Sequence, residues 1–438
     1  MKHSSNPFSP CNSDNHISRR TMLQATGLGG LAWLTPVAHL LGRAQEKAPT
    51  HAPAKSIIML WMAGGPSQLE TFDPHEGKKI AGDTRAIDTS VKGVKLAHGL
   101  PQVAEVMDEL TLVRSMISKE GDHERGAYNV KTGYRPDPTL VHPSIGAVLC
   151  HQLPEGKVDI PRHISILPGQ WPARGGYLGA QYDAFQVYNT NGRAGNITAR
   201  VNPKRIDNRL TALNAIEQSF ARGRRAELDS KTTLHNATIQ KALRMMNSDQ
   251  LSAFDVTLAP AKTRAAFGDT QFGRGCLAAI QLIGAGVRCV EVTLNGWDTH
   301  ANNHEAHVSQ NAILDPAFAS VIRELRTRKL LDQTIVICAG EFGRTPKINP
   351  ANGRDHWPTG FSLALAGGSF RAGHVHGATH PDGEKLKATD KDAIRVADIH
   401  TTVQHALGIE YEKEMMTPIG RPMALSDGRV IKSLLKNL

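Results

Sequence analysis

Short, uninterrupted apolar runs alternate along this chain with longer stretches whose apolar residues recur at helical spacing. Residues 56–61, 110–114, 163–167, 288–294, 335–339 and 361–366 are too short for helices and are apolar throughout or nearly so. That is the pattern of strands buried on both faces of a sheet. Residues 100–109, 144–151, 208–247, 270–284, 309–329 and 396–408 have the apolar period of helices. Strand and helix therefore alternate, which predicts an α/β fold: a three-layer α/β/α sandwich with a mostly parallel central sheet. Residues 169–202 are rich in Gly, Asn, Tyr and Arg and have little period. They open a long surface excursion that runs to about residue 250. There is no internal repeat.

Polar candidates gather just after the predicted strands. Gly64, Gly65, Pro66 and Ser67 follow the first, Asp122 and His123 the second, and Asp298 and His300 the fourth. Glu341 and Arg344 follow the fifth, with Asp355 and His356 a short loop later. Open parallel sheets place ligand sites at the carboxyl ends of their strands, so these groups are expected to meet at one edge. Carboxylate and imidazole together suit zinc, manganese or iron, and an oxygen-dominated set would suit calcium. Ser67 is a candidate helix cap and nucleophile.

The charge balance, 51 Lys+Arg against 41 Asp+Glu, favours an anionic partner. With 5% aromatic residues and no basic tract interleaved with them, a nucleic-acid groove is excluded. Cys150, Cys276, Cys289 and Cys338 are widely spaced, without a CxxC pair, and read as buried free thiols. Ser18, Arg19 and Arg20 precede an apolar, small-residue stretch, and Gly42, Arg43 and Ala44 offer a cleavage site. Residues 1–44 are thus expected to be a twin-arginine export signal, which sends the protein to the periplasm or beyond. Membrane attachment is expected only if that segment is not removed. A link over 45–55 and a single domain over 56–438 follow.

Five blocks, GGPSQLETFDP (64–74), DHERGAYNVKTGYRP (122–136), GWDTHANN (296–303), GEFGRTP (340–346) and GRDHWP (353–358), resemble the hallmarks of a bacterial family known as domain-of-unknown-function family 1501. The resemblance spans essentially the whole exported chain. That family is placed near the alkaline-phosphatase-like and sulfatase-like superfamily. It implies an alkaline-phosphatase-like sandwich with a divalent-metal site for cleaving a phosphate or sulfate ester. Asp298, His300 and His356 resemble the ligands of one metal, Glu341 stands at a further ligand position, and Asp355 and His400 are implied nearby. Two departures accompany the likeness. Gly64 to Ser67 replace the usual first metal-binding Asp, and Phe342 stands where a second metal would need a His. Where a formylglycine sulfatase carries its nucleophile precursor this chain has His123, with Ala127 in place of the Arg. Formylglycine chemistry is not implied. The expected function is an exported metal-dependent hydrolase of an anionic, glycan-derived ester. His123 serves as nucleophile or general acid, Ser67 is the alternative nucleophile, and Arg125 and Arg344 neutralise the anion. The alternative is a non-catalytic envelope protein of the same fold that binds sulfated or phosphorylated polymers.

Overall fold

In strand β1 (Ser56–Ala63) successive side chains go to opposite sides of a sheet, and both sides are apolar. Ile58, Leu60 and Met62 join one core with the helices Gln271–Gly284 and Asn303–Thr327. Ile57, Met59 and Trp61 join the other with His123–Thr132, Ile145–Gln152 and Val396–Ala406. A strand apolar on both faces has to lie inside a sheet covered twice, which makes the three-layer sandwich. The computed structural model describes residues 53–192, 195, 197, 201–221, 234–383 and 392–436. The expected signal segment lies outside these residues. Ala52–Leu438 form one compact unit.

The remaining strands of the nine-stranded sheet are β2 (Leu110–Ile117), β3 (His163–Ile166), β4 (Phe185–Val187), β5 (Cys289–Asn295), β6 (Thr334–Ala339), β7 (Phe361–Ala366), β8 (His374–His376) and β9 (Ile394–Arg395). Their order is β8-β2-β7-β6-β1-β5-β3-β4, with β9 also paired to β2. Every pairing is parallel except those of β7, which runs antiparallel between β6 and β2. The carboxyl ends of β1, β2, β5 and β6 therefore share one edge. β4 lies within the residues expected to form a surface excursion, and β8 forms the other margin of the sheet.

Local chemistry fixes the helices that frame this edge. Asp122 caps His123–Thr132 by accepting from the Arg125 amide at 3.2 Å, and Gly133 closes the helix at φ 81°. Thr270 caps Gln271–Gly284 in the same way, accepting from the Gly273 amide at 3.0 Å. The expected link is already anchored at its end. Ala54 is buried, and its amide donates to the Ala406 carbonyl. The four described cysteines, Cys150, Cys276, Cys289 and Cys338, are buried free thiols. Burial pushes the Cys150 thiol up to about 12, where it is a poor nucleophile. No helix among the described residues is long and apolar enough to cross a membrane.

Candidate metal centre

Three imidazoles surround Asp298 at the shared edge. His123 Nε2 lies 3.3 Å from Asp298 Oδ2. His300 Nε2 and His356 Nε2 lie 3.1 and 3.5 Å from Asp298 Oδ1. The donor atoms of His123, Asp298 and His356 all fall within 4.8 Å of one another. His300 and Asp298 are each about half exposed at the side chain, and His123 and His356 are more enclosed.

The partners of the other ring nitrogens decide which way the lone pairs point. His356 Nδ1 is 2.7 Å from the Gly121 carbonyl, which can only accept, so Nδ1 carries the proton. Burial lowers the pKa of His356 against that hydrogen bond, which keeps the ring neutral and leaves a lone pair on Nε2. His123 Nδ1 is 2.8 Å from Glu341 Oε1, which also accepts from the Gly64 amide at 2.8 Å. His123 therefore donates through Nδ1 as well, and its Nε2 faces Asp298. Hydrogen bonding to Glu341 raises the His123 pKa above its ordinary value, although burial opposes it. Glu341 is buried, and its Oε2 has no hydrogen-bond partner among the described residues. His300 Nδ1 meets Asp355 Oδ1 at 2.9 Å, and that bond lowers the Asp355 pKa. Only 3.0 Å separates His300 Nε2 from His356 Nε2, so a proton or a cation has to stand between them.

Burial alone would raise the Asp298 pKa, but the hydrogen bond and charge of Arg344 outweigh it and hold the carboxyl below its usual range. Arg344 is fully buried. It donates to Asp298 Oδ1 at 2.6 Å, to the Gly65 carbonyl at 2.8 Å, to the Arg354 carbonyl at 3.0 Å, and to the Gly64 carbonyl. It is a strut between β1, Asp298 and the hairpin of Gly343–Arg344 with His356–Trp357. The close approach requires glycine at position 64: φ is +118°, and a Cβ would lie 2.4 Å from the Asp298 amide nitrogen. Phe342 packs its ring 4.4 Å from His356 and 5.1 Å from His123, centroid to centroid. It is an apolar floor and offers no ligand.

The edge does not gather every candidate. Ser67 is buried, its hydroxyl accepts from the Leu69 amide at 3.3 Å, and its own amide donates to His307 Nε2 at 2.8 Å. Arg125 turns to Glu120, with Nε 2.6 Å from Oε2, and Arg135 holds the other oxygen of that carboxylate. His400 is buried and donates through Nε2 to the Val130 carbonyl at 2.8 Å. Two further buried residues hold contacts to which the sequence assigns no role: Arg354, whose guanidinium grips Glu70 at 2.9 Å, and His307. Arg354 sits within the same GRDHWP block as Asp355 and His356, so its neighbours were the available signal.

His307 provides a test of the packing. Burial lowers its pKa to about 4, and the ring is neutral, accepting at Nε2 and donating at Nδ1 to the Asn303 carbonyl. A histidine depressed on folding stabilises the native state fully above its unfolded pKa of about 6.5, and loses that contribution as pH falls toward the folded value. Stability should therefore decline between about pH 6.5 and pH 4. His307→Gln should flatten that decline in urea denaturation followed across the range. An unchanged pH profile in the variant would contradict the assignment.

The family model described as "Protein of unknown function (DUF1501)" matches residues 54–435. The chain belongs to this family. No curated protein matches it. Among solved structures it is similar to Ps i-CgsB, at 9% identity and TM-score 0.41, over 82% of this chain and 72% of that one. It is also similar to the C-terminal periplasmic domain of EcEptC from Escherichia coli in complex with Zn, at 11% identity and TM-score 0.39, over 88% and 93%. A third is alkaline phosphatase from the Antarctic bacterium TAB5, at 13% identity and TM-score 0.34, over 82% and 99%. Likenesses this distant say nothing about the chemistry of the present chain.

Proposed function

We propose that this member of the family is an exported, metal-dependent hydrolase of a phosphate or sulfate ester, with one divalent cation held by His123, Asp298 and His356. The observation that carries the reading is the anchoring of both imidazoles through Nδ1, which turns two Nε2 atoms onto one carboxylate; a bound cation would take the place of the proton that His123 Nε2 holds toward Asp298. Metal-binding histidines are oriented by this kind of outer partner. Donors bound at about 2.0–2.1 Å to one tetrahedral ion lie about 3.3–3.4 Å apart. His123 Nε2 stands 3.3 Å from Asp298 Oδ2 and His356 Nε2 3.5 Å from Oδ1, and one donor atom from each of the three residues lies within 4.8 Å of the others, so an ion would have to draw them somewhat closer. Two imidazoles and a carboxylate favour zinc, manganese or iron over calcium.

A cation bound there would supply Lewis-acid polarisation of the ester and a more acidic water. The chain supplies the rest. Glu341 and the Gly121 carbonyl hold the Nδ1 protons, and Arg344 fixes Asp298 while offsetting its charge. His300, oriented by Asp355 on the half-exposed side, is placed to pass a proton from Nε2 to the leaving oxygen. Water is the nucleophile in this reading, because Ser67 is buried and His123 is engaged at both nitrogens. The substrate is an anionic ester, glycan-derived, met in the periplasm or outside the cell after twin-arginine export.

One observation favours a second reading, a non-catalytic envelope protein that binds anionic polymers: Phe342 packs an apolar ring against His123 and His356 where a second metal would need a donor. Nitrophenyl phosphate and nitrophenyl sulfate, offered to protein loaded with zinc, manganese or iron, separate the two. Hydrolysis of either is expected, and His300→Asn should lower kcat by about 100- to 10,000-fold with the metal retained. Absence of turnover from every loaded form, together with binding of a sulfated polymer, would replace the first reading with the second.

A further inference from the structure

A buried ion pair involves the last turn of the helix that begins with His123 and includes none of the centre's residues. Lys131 and Glu291 are both buried, 2.9 Å apart, and Ser165 donates to the same Glu291 oxygen at 3.1 Å. Lys131 Nζ also stands 4.7 Å from the centroid of the Trp61 ring. Burying such a pair has a desolvation cost that attraction between the partners need not recover, so its retention calls for a reason beyond stability. The third partner of Lys131 provides one: Nζ donates to the backbone carbonyl of Trp171 at 2.9 Å. The loop that carries Trp171 is fastened again where the Ser144 amide donates to the Arg174 carbonyl and the Gly175 amide to Asp183. These bonds hold the backbone at Trp171, and its indole lies parallel to the His123 imidazole, at an angle of 10° and a centroid distance of 6.3 Å.

Trp171 is also the exception among the described tryptophans. Trp61, Trp297 and Trp357 are buried, whereas Trp171 keeps part of its surface in solvent. A large apolar ring anchored at its backbone, stacked on His123 and partly bare beside a polar cluster is suited to be a preorganised contact surface, since part of its ordering cost is met before a ligand arrives.

We propose that Trp171 is a substrate-stacking platform, held in place by the Lys131–Glu291 pair, and that the ester cleaved at the centre is borne on a ring with an apolar face. This rests on the ester-hydrolase reading above, and it narrows the substrate class to phosphate or sulfate esters of ring-bearing alcohols or phenols. The ring chemistry is shared by a pyranoside and an aromatic group. Trp171 is a binding residue here, and Lys131 is a positioning residue acting through the Trp171 carbonyl.

Intrinsic fluorescence of the full zinc-loaded chain tests this, because Trp171 is the described indole within reach of ligand. The probes are glucose 6-phosphate, phenyl phosphate and ethyl phosphate, with the three corresponding sulfates, and methyl glucoside and phenol without an ester. At least one ring ester should bind about tenfold or more tightly than its ethyl counterpart and shift the emission, an advantage of the size stacked rings give. Glucose derivatives responding alone would assign a pyranoside, and phenyl derivatives alone an aryl ester. Trp171→Ala should remove the ring advantage while metal content and ethyl-ester affinity persist, and Trp171→Phe should retain part of it. Lys131→Met should make Trp171 more accessible to acrylamide and reduce the ring advantage, raising KM more than it lowers kcat. Equal affinity for ring and ethyl esters in metal-loaded protein would overturn the proposal, as would a ring advantage that survives Trp171→Ala. Metal-free protein that still answers methyl glucoside or phenol through Trp171 would support the platform even if the chain proved unable to hydrolyse esters, so the two ideas fail separately.

Discussion

An Asp298→Ala variant is expected to lose its divalent cation. Asp298 is the only charged donor in the cluster, and the imidazoles of His123, His300 and His356 all converge on it. Without it, two neutral nitrogens would have to hold a dication beside the guanidinium of Arg344. The loss in affinity should exceed the about 10- to 100-fold that removal of an outer partner costs. Glu341→Gln supplies that comparison. It keeps the shape but removes the charge that draws the His123 Nδ1 proton, and its effect should stay within about 10- to 100-fold. Competition with a chelator, read for wild type and both variants, gives the ranking. Equal affinity in Asp298→Ala and wild type would remove the site from consideration.

The second large effect is expected on stability. Arg344→Met keeps much of the volume of a fully buried side chain but deletes the donors to three backbone carbonyls, those of Gly64, Gly65 and Arg354. Buried acceptors left without partners are costly, and breaking a buried ionic contact by removing one member costs about 3–5 kcal/mol. Asp298 is half exposed and can regain water, which puts the expectation toward the lower end. Urea denaturation of metal-free protein isolates this term from metal binding. A loss below about 1 kcal/mol, the scale of a surface ion pair, would show that the strut contributes little.

The sheet was legible because buried strands in α/β folds carry dense apolar runs, and β1, β5 and β6 fall close to where those runs lie. Placing polar groups at the strand ends then brought Asp298, Glu341 and His356 to one edge without any knowledge of tertiary contacts. What the sequence withheld was long-range. β7 reads as a buried strand, but nothing in FSLALA says that it runs against its neighbours. Ser67 reads as a helix cap and an alternative nucleophile, yet it is buried, with its amide bonded to His307, a partner 240 residues away. Arg344 looked like a free anion clamp because its four acceptors lie on segments that only folding assembles. The roles of the histidines depend on which ring nitrogen is anchored, and that is decided by a carbonyl at Gly121 and a carboxylate at Glu341. Those pairings are contacts, and neither spacing nor composition encodes them.

The most direct test of the central claim is a crystal structure of the protein grown with zinc, with the ion located by anomalous scattering. One ion is expected, bonded to His123 Nε2, His356 Nε2 and an Asp298 oxygen at about 2.0–2.2 Å, with Glu341 still holding His123 Nδ1. Zinc bound elsewhere, or no ion between these three residues at saturating zinc, would contradict it.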